Sequence, residues 1–341
     1  MSKRVVAAMF AVVVSVGLAW SQDADKVLLR YKWQIGERAE WVVNSEMTGT
    51  VVTQDLTKAP PEETVTSISS TTTVPVYQTV EAVDEQGNGT ISYQMGLIEV
   101  DWEAADGTVQ HIVMDPVAKT MTVNGETTPT PPGTMPFGDE PMRMVVSPRG
   151  RVLESKMPAA MEQLFGTGGL SPTQAFDMMQ SRQMELPEQP IGVGYTWTQT
   201  SAITTSTPPG EAEQGGGDPE PPPFSFAAAY TLMGFETVAG VECAQIETVG
   251  ALDMTEAFQI SQSTEQADLT IAAGPSHISL RGFVYFDPAA GRMVKTEMDM
   301  IMNSRQHVQG EAKTPEGPQG VDMEATSDSM RMHTVVMLKL E

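Results

Sequence analysis

The 341-residue chain has a single cysteine, Cys243, and only four histidines, His111, His277, His307 and His333. One thiol cannot form an internal disulfide, a cysteine zinc site or an iron–sulfur cluster. The histidines are far apart and in no metal-ligand spacing, and there is no His-Glu-x-x-His motif. Positive charge is scarce as well: 20 Lys and Arg stand against 44 Asp and Glu, a net charge of −24. Nucleic acid and anionic membrane surfaces repel such a polyanion, so neither is an expected partner. A Gly-rich phosphate loop with its Lys and a Gly-x-Ser-x-Gly elbow are both missing. No later stretch reaches the length of a transmembrane helix.

What is present is an N-terminal export pattern. Lys3 and Arg4 precede an apolar stretch over 5–18, and Ala19-Trp20-Ser21 supplies small residues at the cleavage positions before Gln22. Residues 1–21 are therefore expected to be a signal peptide and the mature protein to be exported, periplasmic or extracellular, with no transmembrane segment after cleavage. A chain of this size has enough apolar residues, 40%, to hold a core without covalent staples.

The remainder alternates with period two and is rich in Val, Ile and Thr, which favours pleated structure. In residues 27–35, Leu29, Tyr31, Trp33 and Ile35 fall on one face of an expected strand. Further strands are expected over 41–52, 64–83, 91–100, 196–205, 227–238, 241–248, 279–286, 293–302 and 330–340. Turn chemistry separates them at 85–89, 148–150 and 287–291. The expected fold is mainly β, with long antiparallel strands in one or two curved sheets or half-barrels. Two short helices are expected near 158–184, where apolar residues take helical spacing and Ser171-Pro172 has the character of an N-cap. Segments 59–63, 128–138, 208–223 and 310–320 read as loops, being rich in Pro, Gly and acidic residues.

Three marks recur in order along the chain: Ile35-Gly36 with Trp41 against Ile191-Gly192 with Trp197, Tyr77 against Tyr230, and a Pro-to-Gly-Arg turn at 147–152 against 287–294. They suggest an internal duplication, with a first β-unit over 22–186 and a second over 187–341. Its two hairpins, 145–153 and 284–294, are then expected to superpose.

The candidate chemistry is thin. Cys243 shares a strand face with Val241 and reads as a small buried thiol. Asp84 to Gly89 imitates a calcium loop, but Met95 stands where the bidentate Glu belongs, so a hairpin turn explains it better. Asp101 and Glu103 share a face expected to be solvated. The 24 methionines are the most unusual feature. Met298, Met300 and Met302 alternate along one strand and project from one face. Thioethers suit Cu(I), but such a row is also what a soft core wall looks like. Because the methionines are spread along the chain, packing is the favoured reading, and Met330, Met332 and Met337 leave it unchanged.

The chain resembles a family of exported bacterial proteins of unknown function. The resemblance rests on Leu29-Arg30-Tyr31-Lys32-Trp33 with Gly36, and on Glu46-Met47-Thr48. It continues through Leu186-Pro187, Val193-Gly194-Tyr195-Thr196-Trp197, and Tyr285-Phe286-Asp287-Pro288 with Gly291-Arg292. It implies export and a β fold, with no functional residue to carry over. The expected role is non-enzymatic binding or structure in the envelope, with no cofactor or metal, and with an envelope protein or apolar small molecule as partner. The rival expectation is a carrier of a lipid or other apolar ligand, held in a β cavity lined by Met298, Met300 and Met302 under the 158–184 helices. A hydrolase with a dispersed site has no positive support.

Overall fold

The computed structural model describes residues 26–103, 106–130, 140–158, 184–203, 224–254, 258–263, 267–274, 276–314 and 317–339. Its strands are β1 (Arg38–Asp55), β2 (Glu62–Val83), β3 (Gly89–Met95), β4 (Ile98–Glu103), β5 (Val109–Asp115), β6 (Thr120–Val123), β7 (Glu126–Pro129), β8 (Met142–Val146) and β9 (Val152–Lys156). They continue as β10 (Thr196–Ile203), β11 (Phe224–Val238), β12 (Val241–Met254), β13 (Phe258–Ser263), β14 (Ala267–Ala273), β15 (Ser276–Asp287), β16 (Arg292–Thr314) and β17 (Gly317–Lys339). Every pairing is antiparallel. The main row runs β9, β8, β3, β2, β1, β17, β16, β15, β12, β11, β10. It forks where its longest strands outrun their neighbours: β4 to β7 add to the middle of β2, and β14 with β13 to the far half of β16.

The row curls far enough to bring its two flanks together. β3 and β15 are five strand spacings apart, roughly 24 Å in a flat sheet. Yet Trp33, packed on Ile91 of β3 and Met144 of β8, stacks on Tyr31 at 4.9 Å, and Tyr31 meets Phe286 of β15 edge-on at 5.2 Å. Only a barrel-like curl satisfies both contacts. Main-chain bonds complete the bridge. Tyr31 N–H donates to Pro148 O at the β8–β9 turn, and Lys32 N–H to Gly291 O at the β15–β16 turn. Leu186 N–H donates to Arg149 O, and Val27 exchanges two bonds with Ile191.

Residues 26–36 are therefore not the strand their alternation suggests. They form a strap laid across the inner face, touching two hairpin tips rather than a ladder. The alternation is still used: Leu29 is fully buried, Tyr31 and Trp33 are half-buried against the core, and Ile35, past the last tip, is 70% exposed. Gly89 permits the crossing, since a Cβ there would lie 2.6 Å from the Trp33 ring. The main core is Leu29, Leu186 and Ile191 from the crossing segments, set on Tyr230 and Leu232 of β11, Ile246 of β12 and Phe286 of β15.

Other expectations change in detail. The strand expected over 91–100 is split at Gly96 into β3 and β4, which pair with different stretches of β2. Residues 310–320, expected as a loop, are strand as far as Thr314 and again from Gly317, because the β16–β17 ladder overrides the turn-forming composition. Strands β5, β6, β7, β13 and β14 were not anticipated, and β7 runs into the segment expected as a loop over 128–138. The expected signal peptide, the loop at 208–223 and nearly all of the expected helices at 158–184 lie outside the described residues, and the described residues contain no helix. The halves 22–186 and 187–341 join in one sheet through the β1–β17 ladder.

Because Phe286 is fully buried between the strap and the wall, Phe286→Ala is expected to cost about 3–5 kcal/mol in a denaturant titration. Tyr77→Ala, at a half-exposed position, should cost less than about 1 kcal/mol.

Candidate functional site

The ladder register divides the central sheet into a polar outer and an apolar inner face. Outside, Arg281 pairs with Glu247 at 2.7 Å, His333 with Asp299 at 2.8 Å, and Lys339 with Glu40 at 3.2 Å. Inside, at the strap end, β1 places Trp41 and Val43, β17 places Leu338 and Val336, and β15 places Val284. Farther from the strap the inner face becomes rich in sulfur. Met298 on β16 lies opposite Gly282 of β15 and Thr334 of β17. Met300 lies between Leu280 and Met332, and Met332 in turn faces Met47 of β1. Met302 lies between Ile278 and Met330.

The three methionines singled out from the sequence thus share one face, and the sheet brings Met47, Met330 and Met332 beside them. All six are half-buried, while Met337, on the outer face of β17, is exposed. Met298 packs on the edge of the main core. A Cβ on Gly282 would lie 2.6 Å from its sulfur and 2.0 Å from Glu297 O, so this thioether lies over bare backbone.

Two buried hydroxyls belong to the same face. Thr248 of β12 is 2% exposed and Ser327 of β17 is 4% exposed, and neither Oγ1 nor Oγ has a hydrogen-bond partner among the described residues. Ser327 faces Ser304, two residues past Met302, and Thr248 faces Gly282. Buried hydroxyls are ordinarily bonded, so such a pair on an apolar wall marks places where a polar atom of a ligand or a water fits. No residue-type pattern announces them. They differ from most of the chain's hydroxyls only in being buried without a partner, which they share with the Thr130 and Ser155 hydroxyls.

The other candidates do not converge on this face. All four histidines fall on the outer face by strand parity, where His111 pairs with Asp101 at 2.8 Å, His307 with Asp322 at 2.6 Å and His333 with Asp299 at 2.8 Å. Asp101 is thus engaged by His111. Cys243 packs with Val294 and Tyr285, its sulfur donates to Val241 O at 3.5 Å, and burial pushes its thiol pKa up. Asp84 accepts from the N–H groups of Gln86 and Asn88 and from the Asn88 amide, which hold its carboxyl below the usual range as the hairpin reading expects.

A cleft of about 550 Å³ opens where residues 184–189 cross β10, lined by Arg149, Glu185, Pro187, Trp197, Gln199 and Tyr195 among others. Its charges are occupied. Arg149 pairs with Glu185 at 3.1 Å and Glu188 at 2.6 Å and donates to Leu186 O at 2.9 Å, while Arg30 donates to the carbonyls of Leu29, Pro187 and Glu188. Trp197 Nε1 donates to Glu185 O at 2.9 Å. This is a clamp on the crossing segment.

No family model and no curated protein matches the chain. Among solved structures it is similar to lipovitellin, in a structure concerned with lipid–protein interactions, at 8% identity and a TM-score of 0.41, over 90% of this chain and 25% of that one. It is also similar to OpdQ of Pseudomonas aeruginosa at 8% identity and a TM-score of 0.13, over 89% of this chain and 99% of that one. The chain spans about a quarter of the lipovitellin chain's length. At these values neither likeness bears on what the inner face binds.

Burial pushes the hydroxyls of Tyr31 in the strap and Tyr230 in the wall up to about 12. In the unfolded chain they would titrate near 10, so between these pH values only the unfolded state loses the protons. Stability is therefore expected to be intact below about pH 10 and to fall as pH rises toward 12. Tyrosinate absorbance should show these two rings ionising together with unfolding, and Tyr31→Phe should flatten the alkaline slope.

Proposed function

We propose that this protein is an exported carrier of an apolar or amphipathic molecule, which lies against the inner face beyond the strap. The observation that carries this reading is the contrast along that face. At the strap end Trp41, Tyr230, Leu232, Ile246, Val284, Phe286 and Leu338 are buried, with Val43 and Val336 half-buried between them. Across Met47, Met300, Met302, Met330 and Met332 the face is only half-buried, with Leu280 and Ile278 continuing the apolar band. A filled wall would need no adaptable side chains. Unbranched, polarizable methionines suit a greasy ligand of variable shape, and ligand sites are mostly apolar with a few placed polar groups. Thr248 and Ser327 are such groups, which favours a ligand bearing a polar head or hydroxyl. The role is binding rather than catalysis on this reading, since the histidines and Cys243 stand away from the face. The export pattern of residues 1–21 supplies the compartment.

The test is native mass spectrometry of the purified full chain, followed by titration with an apolar fluorescent probe. A co-purifying lipid-like mass and displaceable probe uptake are expected. Leu280→Arg, which puts a charge into the apolar band, should weaken probe binding at least about tenfold, equivalent to 1.4 kcal/mol, whereas Ile301→Arg on the outer face should not. A clean mass with no probe uptake would refute the carrier and leave a structural role.

A further inference from the structure

We propose that Met47, Met332 and Met300 form a binding site for a soft monovalent cation, Cu(I) in particular, with Met330 and Met302 as its second row. Seen along the chain these residues are scattered, which favours packing. The sheet removes that objection. Met47, Met332 and Met300 are direct cross-strand neighbours on three consecutive strands, and Met330 and Met302 are direct neighbours two residues farther along β17 and β16. Side chains directly opposite in an antiparallel ladder have Cβ atoms about 4.5–5.5 Å apart. A methionine has three rotatable bonds beyond its Cα, enough to bring its sulfur over the middle strand. Three thioethers can thus meet one ion above Met332.

The chemistry selects the ion. Thioether sulfur is neutral and soft, prefers Cu(I), and is a poor ligand for the oxygen-seeking Ca²⁺ or Mg²⁺. No histidine or cysteine shares this face, so divalent zinc and Cu(II) find none of the ligands they favour here. The protein's strongly negative field raises the local concentration of any cation without supplying ligands on this face. Met47, Met300 and Met332 are half-buried, so the patch is open to solvent in part.

A second feature is particular to this patch. β17 carries one extra residue here, shifting the register against both β1, between Thr48 and Val51, and β16, between Met302 and Ser304. The bulge contains Ser329 at φ 64°, whose N–H donates to Asn303 Oδ1 at 2.8 Å. Bulges re-aim neighbouring side chains and are over-represented beside functional sites. The residue that follows is Met330, and Gly49 of β1 makes room for it: a Cβ there would lie 3.0–3.2 Å from the Cα, Cβ and Cγ of Met330. A bulge and a glycine together seat one methionine beside four others, which packing by an ordinary aliphatic residue would not require.

The test uses the full chain under anaerobic, reducing conditions, with Cu(I) supplied from a chromophoric chelator of known affinity. The wild-type chain should withdraw one equivalent of Cu(I). The triple variant Met47→Leu, Met300→Leu, Met332→Leu should lose at least about tenfold to a hundredfold in affinity. Met337→Leu, on the outer face of the same strand, should match wild type. Cu(I) uptake and apolar-probe uptake are measured separately on the wild-type chain, so a failure of this site and a failure of the carrier reading are told apart without relying on probe binding by the variant. If circular dichroism shows the triple variant unfolded, Met300→Leu alone must weaken Cu(I) binding. A wild-type chain that cannot compete with the chelator, or a folded triple variant that binds as tightly, overturns the proposal.

Discussion

One crossing governs the architecture: the strap of residues 26–36 passing over the apolar face of a single curled sheet. A sheet with one oily side must cover it, and an open antiparallel sheet usually does so with a second layer. Here the strap and residues 184–191 cover one end. The strap draws the β8–β9 and β15–β16 tips toward each other through main-chain bonds, and its rings, Tyr31 and Trp33, join the two flanks. Were the strap to join a ladder as a further strand, it could not reach both tips. Curl, core and the contrast between largely buried and half-buried ends of the inner face all follow from its position.

Much of this was legible in the sequence, and the failures are instructive. Period-two alternation located the long strands because burial on one face requires it. It also placed Leu29, Tyr31 and Trp33 inward, although residues 26–36 form no strand. Alternation reports which side of an extended chain is buried, not what its backbone bonds to. Gly96 could not be recognised as a break between two strands, since the signal lies in how β2 distributes its partners. Residues 310–320 looked like a loop because their glycines and prolines favour turns, yet two long neighbouring ladders carry β16 and β17 through them. The methionine patch was half visible. Met298, Met300 and Met302 announce themselves by spacing, while Met47 and Met332 join them only through pairing at long sequence range.

Charge is sorted as cleanly as polarity. The described histidines, and most of the ion pairs between neighbouring strands, stand on the outer face, where exposed pairs contribute roughly 0–1 kcal/mol each. Their value to the fold lies less in energy than in register: a one-residue slip would bring Asp299 and His333 inside and the methionines out. The acidic surplus leaves the outer face hydrated and self-repelling, which discourages edge-to-edge association of strands such as β10. The inner face, free of histidine pairs, is left to packing.

The use of methionine on that face then has a physical logic. A leucine or isoleucine wall holds a fixed shape, and half-exposed it would present a rigid apolar surface to water. Methionine has the same bulk with fewer fixed contours and can lie down on the sheet when nothing else covers it. The sheet provides places for this: Gly282 under the Met298 sulfur, and Gly49 beside Met330. Glycine weakens a strand and loses more conformational entropy on folding than other residues. Two such losses, each paired with a methionine, are hard to account for if these side chains only fill space. They are what a wall requires if it is to close over itself when empty and open when something apolar or soft settles on it.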